Sequence, residues 1–288
     1  MSLLLLNLTD VLIDNWNYFH ISVSIIETLD NVNGYITVEP WVDIFMWMLI
    51  FNSWIVITIY SFYCLMRPTS VGYSYCFNHL IDTSAIFAII LHLLWVIFLE
   101  FTKLIQACVA IFLSTCAMVH ALKMQLKIPE KNTLSLRKEG TDFHIKILRI
   151  CIINSSCLYA SWLSYLTIMT LDACLVSQFD VDIVTTNKIL TIFIMIVIVV
   201  YFTLDLLIID RQALYLVGGY VSYAIGIFGT YKWQQEFVPE HSSIMANALI
   251  LIILCLLGKA AGTYKTFGSR DTITKRDHIY EHRPILQQ

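Results

Sequence analysis

Along this chain, long apolar runs alternate with short polar breaks seven times, and each run is about the length that crosses a bilayer as a helix. The runs cover residues 41–66, 80–101, 104–124, 147–173, 187–209, 212–232 and 243–262. At 1.5 Å rise per residue, roughly 20 apolar residues match a hydrocarbon core of about 30 Å. Lipid offers backbone amides no partners, so each run must close its own hydrogen bonds as a helix. The pattern predicts an all-α polytopic membrane protein, a seven-transmembrane-helix bundle over 41–264. It is preceded by an extracytoplasmic segment over 1–40 and followed by a cytosolic polar tail over 265–288. A composition of 58% apolar and 14% charged residues supports this over a soluble helical domain.

Charge sets the orientation. Counting Lys and Arg outside and at the ends of the runs, fifteen fall on one side and three, Lys103, Lys188 and Lys232, on the other. The positive-inside bias places the N-terminus outside and the C-terminus in the cytosol. The partner expected from composition is the lipid bilayer, of plasma membrane or endomembrane, and nothing points to nucleic acid. The basic loop 123–149 is first a topology determinant and second a surface for a cytosolic partner, and a homo-oligomer is open.

Residues 1–40 carry no Lys or Arg before Leu3 to Leu6 and no small-residue cleavage pattern after it, which argues against a cleaved signal peptide. The first span then serves as its own insertion signal. Acidic residues among Trp16, Tyr18, Phe19 and Ile25 read as short amphipathic pieces at the outer interface. Asn7-Leu8-Thr9 is a glycosylation sequon on that side. Most of the cysteines act as small apolar residues, and Cys108 and Cys174 are the two that can meet across the outer face. Small residues recur every fourth position at Ser156, Ala160 and Ser164, at Gly218, Ser222 and Gly226, and at Gly258 and Gly262. Such stripes are packing seams between membrane helices.

Ionisable residues inside spans mark function, because burying them in hydrocarbon needs a reason. Asp43, Glu100, Asp172, Asp205 and Asp210 lie within a turn or two of span ends, where they can snorkel or cap, and Lys259 sits toward the cytosolic end of the seventh span. His92 falls near the middle of the second span. These few groups exclude several seven-span classes. A retinal protein needs a lysine near the middle of the last span. A receptor coupled to G proteins normally shows an acidic-arginine pair after the third span, where this chain reads His120-Ala121-Leu122-Lys123, and prolines in the sixth and seventh, which have none. An intramembrane zinc hydrolase needs histidines in the last span, and bis-histidine haem needs a partner for His92 at matched depth. No catalytic constellation is legible, no cofactor is specified, and the chain reads as a non-enzyme.

The fourth span, Tyr159-Ala160-Ser161-Trp162-Leu163-Ser164-Tyr165-Leu166-Thr167-Ile168-Met169-Thr170, resembles the Tyr-x-x-Trp-x-x-x-Ala-Thr-x-Leu-Asn stretch of the tryptophan-rich sensory protein and translocator protein family. Tyr159, Trp162 and Thr167 match, whereas Leu166 and Thr170 depart. Pro40-Trp41 with Trp47 and Phe51 is similar to the family's first-span elements, and His92-Leu93-Leu94-Trp95 to its Asn-Leu-x-Trp, with His92 in place of asparagine. The likeness extends to longer animal relatives of that family with two extra spans. The resemblance implies a bundle that binds or transports a tetrapyrrole or sterol, with Trp47, His92, Trp95, Tyr159, Trp162 and Thr167 lining the site. Stacked aromatic faces with few polar handles suit such a ligand. Weak sterol-type patterns at Lys188, Phe193 and Val197 and at Arg211, Tyr215 and Val217 point the same way. The competing reading is a seven-span receptor or signalling scaffold, with ligand at the outer segment and a partner on the basic third loop. A channel subunit is the third, and would need oligomers and a polar pore.

Overall fold

Local chemistry at the helix ends explains where the described elements begin and stop. The computed structural model describes residues 36–66, 83–138, 148–207, 216–239 and 242–281. Seven helices lie among them: α1 (Pro40–Met66), α2 (Thr83–Glu100), α3 (Leu104–Lys138), α4 (Asn154–Phe179, entered through a π-helical turn at Leu148–Ile153), α5 (Ile183–Leu207), α6 (Gly218–Phe237) and α7 (Ser242–Glu281). Pro40 opens α1 at the position where a missing N–H is harmless. Between α2 and α3 the chain reverses within Phe101–Lys103, using a left-handed Thr102 with φ 54°. α4 ends on Asp180, also left-handed at φ 50°, whose N–H donates to the Leu175 carbonyl. Asp182 then opens α5 by accepting from the Thr185 N–H (2.9 Å) and hydroxyl (2.7 Å). Those bonds favour the carboxylate and hold Asp182 below its usual pKa.

Six of the seven helices are long and apolar enough to span a membrane, and no strand occurs among the described residues. Their boundaries follow the sequence reading with a few departures, among them α4, which runs to Phe179 where an end at 173 is expected. α3 and α7 continue as helices beyond the expected spans, to Lys138 and Glu281. The sixth helix begins at Gly218, several residues later than expected, and is the one that is not apolar enough. Residues 1–35, including Asn7, and Asp210, Arg211 and Tyr215, all singled out from sequence, lie outside the described residues.

The bundle is built around α4. In its spanning part, 61% of residues are buried, against 28–39% for the other five apolar helices. α2 and α3 form an antiparallel pair, α3 packs on α4, α6 packs on the other flank of α4, α7 lies against α6 and α5, and α1 rests on α4 and α6. Large apolar side chains on the outer helices, such as Phe45, Ile59, Phe87, Ile90, Phe112, Ile192, Ile196, Ile253 and Leu254, face outward. An outside this apolar suits lipid rather than water.

α6 reverses the usual amphipathicity. Tyr220, Ser222, Tyr223, Thr230 and Gln234 are buried, so its polar stripe faces into the bundle. The glycines on the same side allow the close approach. A Cβ on Gly218 would collide with the Asn154 carbonyl, and one on Gly226 would come within 3.1 Å of the Tyr165 ring. The small-residue seam expected on α6 therefore sits against α4, whereas a Cβ added to Gly262 of α7 would meet nothing within 4 Å. Asn154 joins the two helices by accepting from the N–H groups of Val217 (2.8 Å) and Gly218 (3.0 Å).

Candidate functional site

Three helices bring aromatic rings to one junction. On α1, Asp43, Trp47 and Phe51 recur at four-residue spacing and share a face. On α2, His92 and Trp95 sit one turn apart, and on α4 Tyr159 faces both. The Trp47 and His92 rings stack at 5.0 Å and 11°, His92 and Trp95 lie 5.4 Å apart, and Trp54 meets Tyr159 edge to face at 6.0 Å. His92 Nδ1 is 3.0 Å from the Tyr159 hydroxyl, a hydrogen bond whose direction depends on the tautomer. The side chain of Trp47 is hydrogen-bonded to buried Asp43. Trp95 donates its indole N–H to Thr170 Oγ1 at 3.0 Å, and Thr170 donates to the Leu166 carbonyl. Thr170, a departure from the translocator pattern, is thus a working polar handle for Trp95.

Four of the six residues singled out from sequence, Trp47, His92, Trp95 and Tyr159, converge here. All four are more than nine-tenths buried. The other two flank the junction. At 100° per residue, Trp162 is turned about 60° from Tyr159 to one side and Thr167 about 80° to the other. Trp162 stacks on Tyr165 at 5.8 Å and 8°, and its indole nitrogen has no hydrogen-bond partner among the described residues. Thr167 bonds the Leu163 carbonyl and meets Thr115 of α3 at 3.0 Å.

A second polar centre was not anticipated. Asp205 of α5 and Lys259 of α7 are 1% and 6% exposed, and the ammonium lies 2.8 and 2.7 Å from the two carboxylate oxygens. Tyr220 of α6 donates to the same carboxylate at 2.8 Å. Neither charge snorkels: three helices close over them, and the opposite charge compensates each for lost water. Asp172 is likewise internal, fully buried, and accepts from the Ile36 N–H at 2.9 Å. The signal available beforehand was that Asp205 and Lys259 have opposite sign and fall near the same expected face of the fifth and seventh spans.

Cys108 and Cys174, the candidate pair on the outer face, are both free thiols. Among the described residues, no three His, Cys, Asp or Glu side chains are grouped to hold a metal ion. Comparison with protein-family models, with curated proteins and with solved structures finds no match.

Proposed function

We propose that this chain is a seven-span membrane protein, N-terminus outside, that binds or moves a small flat hydrophobic ligand of the tetrapyrrole or sterol class. The observation that supports this reading is the convergence of Trp47, His92, Trp95 and Tyr159 from three helices, with His92 and Tyr159 as the polar handles. Flat rings inserted among aromatic faces gain both apolar burial and stacking. α1 is the natural door. It is among the least buried of the apolar helices, it supplies Trp47, and its outer face carries exposed Phe45 and Met48, so a ligand dissolved in lipid meets it first. The α6 helix completes the seventh crossing, since its twenty residues reach about 30 Å. The role is binding rather than catalysis, and the resemblance to the translocator family supports the same ligand class.

Titration of detergent-purified protein with protoporphyrin and with cholesterol, followed by tryptophan quenching or competition, tests the reading. Saturable binding is expected in wild type, with Trp47→Ala and His92→Ala each weakening it by about tenfold, equivalent to ~1.4 kcal/mol. Trp162→Phe, which lies to the side, is expected to bind as wild type does. Folded protein that binds neither probe saturably, or a Trp162→Phe defect equal to that of Trp47→Ala, contradicts the proposed site.

A further inference from the structure

The buried polar groups beyond the aromatic junction line up along α6. At one end Tyr220 bonds Asp205, which Lys259 neutralises. The Tyr201 ring lies 4.9 Å from that of Tyr220, and its hydroxyl is 3.3 Å from Cys157 Sγ. Further along, the Tyr223 hydroxyl pairs with Ser164 at 2.8 Å, Thr230 pairs with the Tyr165 hydroxyl at 2.6 Å, and Gln234 donates to Asn187 at 3.2 Å. From Tyr220 to Gln234 the rise along α6 is about 21 Å, most of a hydrocarbon core. Two further groups, Ser222 Oγ and Trp162 Nε1, belong to fully buried residues and have no hydrogen-bond partner among the described residues. Buried hydrogen-bonding capacity of that kind is what an internal water uses.

Packing alone is a poor account of this arrangement. A buried ion pair stabilises no better than apolar side chains of the same volume, and ionisable groups inside membrane proteins commonly serve ion and proton movement. Hydroxyls are suited to relaying protons, because each can accept one proton while donating another. We propose that the α6 seam conducts protons between the two ends of the bundle, with Asp205 as the protonatable carrier.

The proton enters at the end that the charge bias assigns to the cytosol. A proton from hydronium at that end transfers to a carboxylate oxygen of Asp205 when the closure of α5, α6 and α7 over it opens transiently. An O–H bond forms, the ion pair with Lys259 is broken, and Lys259 keeps its own proton. Release along Tyr220 and the hydroxyls beyond, to water at the opposite end as final acceptor, restores the carboxylate and the pair, so no group changes charge over a full passage. The groups facing this exchange are Lys259 and Cys255 from α7, Tyr220 from α6, Tyr201 from α5 and Cys157 from α4. Nothing in this step depends on a ligand at the aromatic junction.

Proteoliposomes loaded with a pH-sensitive dye, under a potassium potential set with valinomycin, read the flux directly. Wild type is expected to admit protons faster than protein-free liposomes. The neutral double variant Asp205→Asn/Lys259→Met, which leaves no lone charge to unfold the bundle, is expected to fall to the protein-free rate. Thr230→Val, which keeps the charged centre and removes a hydroxyl midway, is expected to slow the flux and decides the question if the double variant does not fold. Folded wild type with no flux above protein-free liposomes overturns the proposal, as does flux that survives in folded variants.

Discussion

Lys259→Met is expected to lower the unfolding free energy of the purified bundle by about 3–5 kcal/mol, because it strands a buried charge. Asp205 is 1% exposed, and with Lys259 removed the hydroxyl of Tyr220 would be its main support against desolvation. The carboxylate would have to stay charged in a low-dielectric interior, take up a proton, or drag α5 toward water. The double variant Asp205→Asn/Lys259→Met removes both charges at similar volume and is expected to recover most of the loss. Thermal unfolding of wild type, Asp205→Asn, Lys259→Met and the double variant, measured by the loss of monodisperse protein in detergent, closes the cycle. A single variant as stable as wild type would mean that water reaches the pair and that α5, α6 and α7 do not close over it.

Gly218→Val is expected to be the most damaging single change between α4 and α6. Its Cβ would fall on the Asn154 carbonyl and within 3.1 Å of the Leu158 nitrogen, both backbone atoms that cannot rotate aside. Overpacking usually costs about 1–3 kcal/mol when side chains can shift, and here the two helices must separate instead. Separation would also break the bonds from Asn154 to the Val217 and Gly218 N–H groups. Little folded protein should therefore be recovered. Gly262→Ala is the matched control: nothing lies within 4 Å of the new methyl, so its effect should stay within about 0.5 kcal/mol. Equal folded yield from both variants would contradict the α4–α6 contact.

Apolar run length made most of the fold legible, because lipid allows a chain few solutions besides helices of about that length. α6 shows where that logic weakens. Its run over 212–232 suggests a crossing by length, but its inward tyrosines, serine, threonine and glutamine dilute the apolar signal, and the partners of Tyr220, Tyr223, Thr230 and Gln234 lie on α4 and α5. The aromatic junction was partly readable. His92 stood out as an imidazole within an apolar run, and its pairing with Tyr159 joins residues 67 positions apart. Trp162 and Thr167 came with the same motif, yet helical geometry turns them to either side of Tyr159. The Asp205–Lys259 pair stayed hidden for a physical reason. Each residue alone looks like a span-end charge free to reach water, and only the closure of three helices removes that escape.

The central reading is a bundle of seven crossings in which α6 spans the membrane with its polar face inward. Epitope tags at the two ends of the chain, tested for antibody and protease access in intact cells and after selective permeabilisation, decide it by parity. An odd number of crossings puts the tags on opposite sides, with the N-terminal tag reached from outside and the C-terminal tag only after the membrane is opened. Both tags on the same side would mean that α6 does not cross, and would overturn the seven-span bundle and the α6 path with it.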